Sequence, residues 1–447
     1  MVNHLFAKYD IPAPRYTSYP TVPYWEEAPS TDLWIEHLKQ TLSDSQSSWA
    51  MYMHVPYCES LCTFCGCNTI ITKDHRREEP YAELILKEWQ TYLSQVPALG
   101  QKALKHLHIG GGTPTFLSPE NLVKLLKPIL SQVKLADNFE GSIEVDPRRT
   151  TTEQLIVLKE LGFDRVSLGV QDFNPEVQRL VNRIQPYEIT EKITSEARRL
   201  GYRSVNFDLI YGLAKQTPET MLDTVQKTVQ LRPDRIALYS FALVPWIKPA
   251  QRLFKDEDLP TGKAKRDLYE LARRELIAAG YVEVGMDHFA LPTDSLSQAL
   301  LQKKLHRNFM GYTDQKTDLL LGLGVSSISE TPYSFHQNEK VFATYQQRVE
   351  QQDIPTHRGH ILSEEDRSRR VQILQFMTNG TVELDQEQKQ AAEDFLKEMI
   401  LDDLVQINGL QLQMTEKGKP FLRNACLFFD ERLKRQKPQT QVFSKSL

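Results

Sequence analysis

The chain is 447 residues long, 40% apolar and 25% charged: enough apolar material for a sizeable core, and too much for a disordered chain. Its net charge of -4, with Lys and Arg spread along the chain, argues against a dedicated nucleic-acid surface. The opening MVNHLFAKYDIPAPRYTSYP has no apolar signal core and no apolar run reaches bilayer length, so a cytoplasmic protein with no membrane span is expected.

Length allows two or three domains, or one large α/β barrel with additions. Residues 1–48 read as an irregular arm rich in Pro and Tyr, ending in a helix near Asp32 to Leu42. From Trp49 the texture changes, and WAMYMHV (49–55) reads as a strand that runs into a cysteine-rich loop. A helix starts at Pro80, which suits a first turn, with Tyr81, Leu84, Ile85, Trp89, Tyr92 and Val96 at a period near 3.6. LKHLHIGG (104–111) is then a strand, PENLVKLLKPIL (119–130) a helix and SIEVDP (142–147) a strand. TEQLIVLKELG (152–162) is a helix closed by Gly162. RVSLGV (165–170) is a strand, and PEVQRLV (175–181) and ITSEARRLG (193–201) are helices. VNFDLIYG (205–212) and RIALYSFAL (235–243) are strands around the helix ETMLDTVQKTVQL (219–231). The helix KAKRDLYELARRELIAAG (263–280) leads to a last strand, YVEVGMDHFA (281–290).

Such alternation means βαβ units and a parallel sheet. The seven strands are one short of a complete barrel, and a barrel that stops short leaves a side opening for a large substrate. A doubly wound open sheet is the alternative, but its first strand lacks the G-x-G-x-x-G turn. The expectation is an α/β fold: an incomplete (β/α) TIM-type barrel over 49–355, the arm before it, and a mainly helical domain over 356–447. In that last domain SEEDRSRRVQILQFM, EDFLKEMILDDLV and KGKPFLRNACLFFDERL read as helices, with a strand pair turning at Asn408-Gly409. The module looks winged-helix-like. Glu393, Asp394, Asp402 and Asp403 weigh against DNA binding, so a lid or packing role is expected.

Four of the five cysteines fall between Cys58 and Cys67, spaced C-x3-C-x2-C-x-C. A disulfide framework spreads its cysteines, and a zinc site takes two C-x2-C pairs across a longer loop. Only His54 lies near, so a compact iron-sulfur loop is the better reading. Cys426, in an apolar setting, reads as a buried small hydrophobe. Three cysteines on a [4Fe-4S] cube leave one iron without a protein ligand. The amino and carboxylate groups of S-adenosylmethionine suit that position, and reduction then yields an adenosyl radical that takes hydrogen from unactivated carbon. The loop follows the first strand, at the carboxyl end of the sheet, where barrel active sites lie.

C-x3-C-x2-C after a first strand resembles the radical S-adenosylmethionine superfamily. With Gly66-Cys67 and the ordered segments PRYTSYPT, HIGGGTPT, SIEVDPR, RVSLGVQDFN, VQRLVNR, FDLIYGL, GMDHFA and LGLGVSSIS, the chain resembles the oxygen-independent coproporphyrinogen III oxidase family over nearly its whole length. The resemblance implies Cys58, Cys62 and Cys65 as ligands of a [4Fe-4S] cluster, and Cys67 as needed for activity without binding iron. Spacing alone leaves Cys67 open as a fourth ligand or a spectator thiol. Two S-adenosylmethionine molecules are implied. Tyr52, Gly111, Glu144 and Ile328 would meet the cluster-bound one, and Phe64, Gly112, Thr113, Gln171, Arg183, Asp208 and Ala242 the second. Read without the resemblance, Tyr52 and Phe64 are core aromatics, Gly110 to Thr115 is a βα turn, and Glu144 and Asp208 are salt-bridge partners inside a barrel.

The implied reaction converts two propionates of coproporphyrinogen III to vinyl groups, giving protoporphyrinogen IX in heme biosynthesis. Arg15 with Tyr16 and Tyr19 on the arm, and His306 with Arg307, are candidates to meet the substrate. An electron donor such as flavodoxin or ferredoxin, no nucleic acid, and a monomeric state complete the expectation. The alternatives are a heme chaperone of the same superfamily, which has an aromatic where Cys67 stands and lacks the PRYTSYPT arm, and a non-catalytic iron-sulfur regulatory protein. One departure from the family pattern is Ala214, where proline is usual.

Overall fold

The computed structural model describes residues 3–436, 438, 442 and 443, and places a twelve-stranded sheet at its centre. Residues 1, 2, 437, 439–441 and 444–447, in the expected arm and C-terminal domain, lie outside the described residues. In chain order the strands are β1 (Ser48–Val55), β2 (Ala103–Gly111), β3 (Lys134–Val145), β4 (Phe163–Gln171), β5 (Ser204–Tyr211) and β6 (Arg235–Ser240). They continue with β7 (Val282–Gly285), β8 (His288–Ala290), β9 (Leu319–Leu323), β10 (Ile328–Glu330), β11 (Ser334–Asn338) and β12 (Thr356–Ile361). Across the sheet the order is β12-β11-β10-β9-β1-β2-β3-β4-β5-β6-β8-β7. From β9 to β6 every pairing is parallel, and both flanks are antiparallel. The edge strands β12 and β7 do not pair with each other, so the barrel is incomplete.

Helices cover the outer face. They include α1 (Asn3–Tyr9) and α2 (Thr31–Thr41) ahead of the sheet, and α3 (Glu78–Gln95) and α4 (Pro119–Leu130) after β1 and β2. Leu104, Leu107, Ile143, Val166, Phe207 and Ile236 are fully buried in the main core. No described helix is long and apolar enough to cross a membrane.

Three expectations are corrected. YVEVGMDHFA is not one strand but the hairpin β7–β8, turned at Met286 with φ 45° and antiparallel to β6. The turn holds because the Leu238 N–H donates to the Asp287 carbonyl at 2.7 Å, closing the end of β6 onto the hairpin. The seventh parallel strand is instead β9, the LLLGL run beside β1. KGKPFLRNACLFFDERL is not one helix but a chain of short helical pieces, Lys419–Phe421, Leu422–Cys426, Leu427–Phe429 and Glu431–Arg435, the last begun by Asp430, which caps it through the Leu433 N–H at 2.9 Å. Met1 to Ser48 holds α1 besides the expected α2.

A second core joins the two ends of the chain. Leu5, Tyr16 and Tyr19 pack with Phe376, Phe421, Cys426 and Phe429. The Tyr16 hydroxyl donates to Asp430 at 3.0 Å, Arg423 Nε to the Pro14 carbonyl at 3.0 Å, and Asn424 Nδ2 to the Tyr9 carbonyl at 2.8 Å. The Asn408-Gly409 hairpin gains a third strand, Thr381–Glu383, beside Gln411–Met414.

Behind β9, Glu88 of α3 is only 2% exposed. Its carboxyl accepts from the Gly324 N–H at 2.8 Å, the Tyr345 hydroxyl at 2.7 Å and Asn338 Nδ2 at 2.6 Å. Burial pushes it up from 4.5 to about 7, against the pull of those three donors. A carboxyl raised on folding binds its proton more tightly in the native state, so stability falls as pH rises from about 4.5 to 7. The loss is about 3 kcal/mol, complete above the upper value. Urea unfolding at pH 5 and pH 8 is expected to show this loss in the parent and not in Glu88→Gln; equal pH slopes would refute it.

Candidate active site

The cysteine loop hangs from the end of β1. Ile70 N–H donates to the Pro56 carbonyl at 2.7 Å and Thr72 N–H to the Cys58 carbonyl at 2.9 Å, closing its base. Thr63 N–H reaches the Val181 carbonyl at 3.1 Å, Asn182 Nδ2 the Leu61 carbonyl at 2.8 Å and Lys248 Nζ the Cys67 carbonyl at 2.8 Å. Cys58, Cys62, Cys65 and Cys67 are unpaired thiols that line one cavity of about 390 Å3.

Each signature sulfur has a polar neighbour. Thr113 Oγ1 lies 3.3 Å from Cys58 Sγ, Arg183 Nη1 donates toward Cys62 Sγ at 3.7 Å, and the Cys67 N–H reaches Cys65 Sγ at 3.4 Å. Burial pushes the Cys58 thiol up to about 11. Cys65 and Cys67 share a hydrogen bond that lowers Cys65 to about 6 and raises Cys67. Among the described residues no three His, Cys, Asp or Glu side chains gather closely enough for a single ion. An all-sulfur set spread along one cavity wall and lined with donors to sulfur fits a cluster of several irons better than a one-metal cage.

The turn after β2 must be glycine. Gly111 has φ +116°, and a Cβ there would stand 2.7 Å from the His54 ring; one on Gly112 would stand 2.7 Å from the Pro56 carbonyl oxygen. This close approach seats the turn on the cysteine loop, with Gly112 N–H on the Val55 carbonyl at 2.7 Å and Thr113 N–H on the Tyr57 carbonyl at 2.8 Å. The Gly111 N–H donates to Glu144 Oε2 at 3.1 Å. Burial pushes Glu144 up, but His108 and that N–H outweigh it and hold the carboxyl below its usual range. His54 Nε2 faces the Asn68 carbonyl at 2.9 Å, so its proton sits there and Nδ1 accepts from the Tyr52 hydroxyl at 3.1 Å. Burial keeps His54 neutral.

A second set of polar groups lies across β3, β4 and β5. Arg148 Nη2 meets Asp146 Oδ2 at 2.6 Å and Arg183 Nη1 meets the same oxygen at 3.2 Å, while Arg183 Nη2 donates to the Gly169 carbonyl at 2.6 Å. Asp146 would rise on burial, but Arg183 and Arg148 hold it down. Asp208 accepts from the Ser167 hydroxyl at 2.9 Å and Asn206 Nδ2 at 3.0 Å; burial, then Glu144, raises it to about 6. Gln171 ends β4 at φ 68°, turning into the same space.

Of the residues expected in the site, Cys58, Cys62, Phe64, Cys65, Cys67, Gly111, Gly112, Thr113, Glu144, Gln171, Arg183 and Asp208 line the cavity. Tyr52, Ala242 and Ile328 do not line it but lie close behind. Tyr52 pairs with Gly322, which the Ile328 carbonyl covers, and Gln251 Nε2 ties the Ala242 and Phe64 carbonyls together at 3.2 Å each. His306 and Arg307 are absent from the lining, and Arg307 stacks over Tyr312 at 4.4 Å and reaches the Arg15 carbonyl. Arg15 Nη1 pairs with Asp287 at 2.9 Å, beside His288 and Tyr239. His106, His108, Asp146, Asn206 and His288 also line the cavity and escaped sequence reasoning. Their signal was available: His106/His108, Ser142/Glu144/Asp146 and Asn206/Asp208 are polar at every second position in otherwise apolar strands, on one face.

The model of the Radical SAM superfamily matches residues 52–228. The chain is 38% identical over 451 residues to the oxygen-independent coproporphyrinogen III oxidase of Escherichia coli (strain K12), covering 99% of this chain and 97% of that protein. It is 37% identical over 446 residues to the protein of the same name from Pseudomonas aeruginosa, covering 96% and 95%. The solved structure of the Escherichia coli coproporphyrinogen III oxidase, described as a radical SAM enzyme, superposes with a TM-score of 0.88 at 37% identity, over 93% of this chain and 97% of that one.

Proposed function

The chain belongs to the oxygen-independent coproporphyrinogen III oxidase family of the radical S-adenosylmethionine superfamily, and from that premise we propose how its own residues divide the work. The enzyme is an oxidoreductase of heme biosynthesis that converts coproporphyrinogen III to protoporphyrinogen IX. Each of two propionates loses its carboxylate as carbon dioxide and keeps its other two carbons as the vinyl group, releasing one proton and two electrons. A [4Fe-4S] cluster and S-adenosylmethionine, when bound, supply the radical that takes hydrogen from the propionate side chain.

Cys58, Cys62 and Cys65 would hold the cluster, under the Arg183 and Thr113 donors described above. Glu144, fixed by His108 and Gly111, would grip the amino group of the cluster-bound S-adenosylmethionine, with Tyr52 and Ile328 behind it. Arg183, Gln171, Asp208, Phe64, Gly112, Thr113 and Ala242 would hold a second molecule. Two carboxylates in unlike surroundings support this: Glu144 is held ionised, whereas Asp208 is raised to about 6. Cys67 would act without ligating iron. The arm of residues 1–48 would close the side opening of the 49–355 barrel, held there by the 356–447 module. A flavodoxin or ferredoxin would supply electrons, and we place the enzyme in the cytoplasm as a monomer.

The observation that carries this reading is the convergence of twelve expected residues on one cavity at the carboxyl ends of the strands. Its test is anaerobic incubation of the iron-loaded protein with coproporphyrinogen III, reductant and S-adenosylmethionine. The expected result is a monovinyl and then a divinyl product, with equilibrium dialysis giving two S-adenosylmethionine per chain. One bound molecule would overturn the two-site arrangement; heme binding without vinyl products would overturn the activity.

A further inference from the structure

Outside the cysteine loop, residues 241–255 form a loop that keeps Phe241 buried and turns four large apolar side chains to solvent. Leu243, Trp246, Ile247 and Leu253 are 36%, 52%, 59% and 76% exposed. The loop is firmly held. Gln251 is 2% exposed, accepts from the Val244 N–H at 2.6 Å and donates to the Phe64 and Ala242 carbonyls, while Lys248 Nζ holds the Cys67 carbonyl. None of the four apolar residues lines the cavity, so their exposure does not belong to the substrate space.

The same face carries cations without counter-charges. Lys248, Arg252, Lys340 and Arg358 form no ion pair among the described residues: Arg252 donates to the Pro245 carbonyl, Arg358 to Gln337 and over Trp25. Lys340 follows the Asn68 anchor, since Asn68 Nδ2 donates to its carbonyl at 3.1 Å, and burial and then the charges of Arg358 and Lys248 pull it below its ordinary range. The nearby acids are taken: Glu257 by Lys255, Asp258 by Lys215, and Glu339 by Arg348 and His357. An exposed apolar centre with an uncompensated positive rim is the complement of an acidic protein surface with an apolar middle.

We propose that the 241–255 loop with Lys340 and Arg358 is the docking face for a small acidic electron-carrier protein, which delivers electrons across the cysteine loop. The inference rests on the proposed cluster site, which the loop touches through Cys67 and Phe64. In each transfer the carrier is oxidised by one electron and the cluster is reduced by one.

The test uses a bacterial flavodoxin and a ferredoxin, each titrated calorimetrically into the iron-loaded enzyme at low and raised ionic strength. Salt weakens the parent complex, because rim charges are screened. A Lys340→Glu/Arg252→Glu double variant and, separately, Trp246→Ala each lose about tenfold in affinity, as a rim charge pair and a central anchor do. Turnover driven by dithionite stays at the parent rate in both variants, while turnover driven by the reduced carrier falls in step with affinity. Unchanged affinity in both variants, no binding of either carrier to the parent, or a raised coproporphyrinogen KM with dithionite would overturn the docking face. Affinity is read without turnover, so failure of the parent to turn over with dithionite counts against the proposed function alone.

Discussion

A Cys62→Ala variant is expected to lose its iron and its turnover together, while keeping its fold. Cys62 is the most buried thiol of the loop, at 9% exposure, and Arg183 Nη1 points at its sulfur. Arg148 is raised by Asp146 and, to a lesser degree, by the same thiol, so two guanidinium groups converge on one sulfur. Without the sulfur only two signature thiols remain, beside the more exposed Cys67. Iron content and cluster absorbance should fall to background and vinyl formation below detection, whereas thermal unfolding should shift by about 1 kcal/mol or less, as for a small substitution at a partly wet site. Cys67→Ala is the contrast: it should load iron normally and still fail to turn over. A Cys62→Ala protein that holds a full cluster and works at the parent rate would refute the ligand assignment.

Gly111→Ala is expected to have the second largest effect. A non-glycine residue at φ +116° costs of order 1–3 kcal/mol in backbone strain. The new Cβ would also sit 2.7 Å from the His54 ring and 2.9 Å from the Val55 carbonyl oxygen, overpacking that costs a further 1–3 kcal/mol or so. His54 cannot give way easily, because the Asn68 carbonyl and the Tyr52 hydroxyl hold both its nitrogens. The turn should shift instead, and the Gly111 N–H should leave Glu144. Calorimetric unfolding should register a loss of about 2–6 kcal/mol, and S-adenosylmethionine affinity should fall with it. Parent-like stability and affinity would mean that the turn has slack the contacts deny it.

Much of this was legible because the chemistry is local. Four crowded cysteines after a strand, and three glycines after the next, announce themselves by spacing. The parallel strands β1 to β6 keep an apolar face between helices of regular period, which their helix-covered side requires. What stayed hidden is non-local. Strand β9 is short and followed by no helix, so nothing in LLLGL separates it from a buried turn until β1 is seen beside it. The chain turns at Met286-Asp287, which carries no glycine at the two central positions, and Asp287 is held there by Arg15, from 272 positions away. Glu88 looks like one more charge on a helix, and only the folded chain brings Gly324, Asn338 and Tyr345 to it. Ala242 and Ile328 carry no signal of their own; they entered through family resemblance.

The second core has a consequence for how the molecule is born. Tyr16 finds Asp430 and Arg423 finds Pro14 across more than four hundred positions, 414 and 409. The arm's contacts therefore form only once the chain through Asp430 has been made, well after β1 to β6. By the time Ser240 is made the parallel strands β1 to β6 can all pair, yet the aromatic strap still has nothing to fasten to.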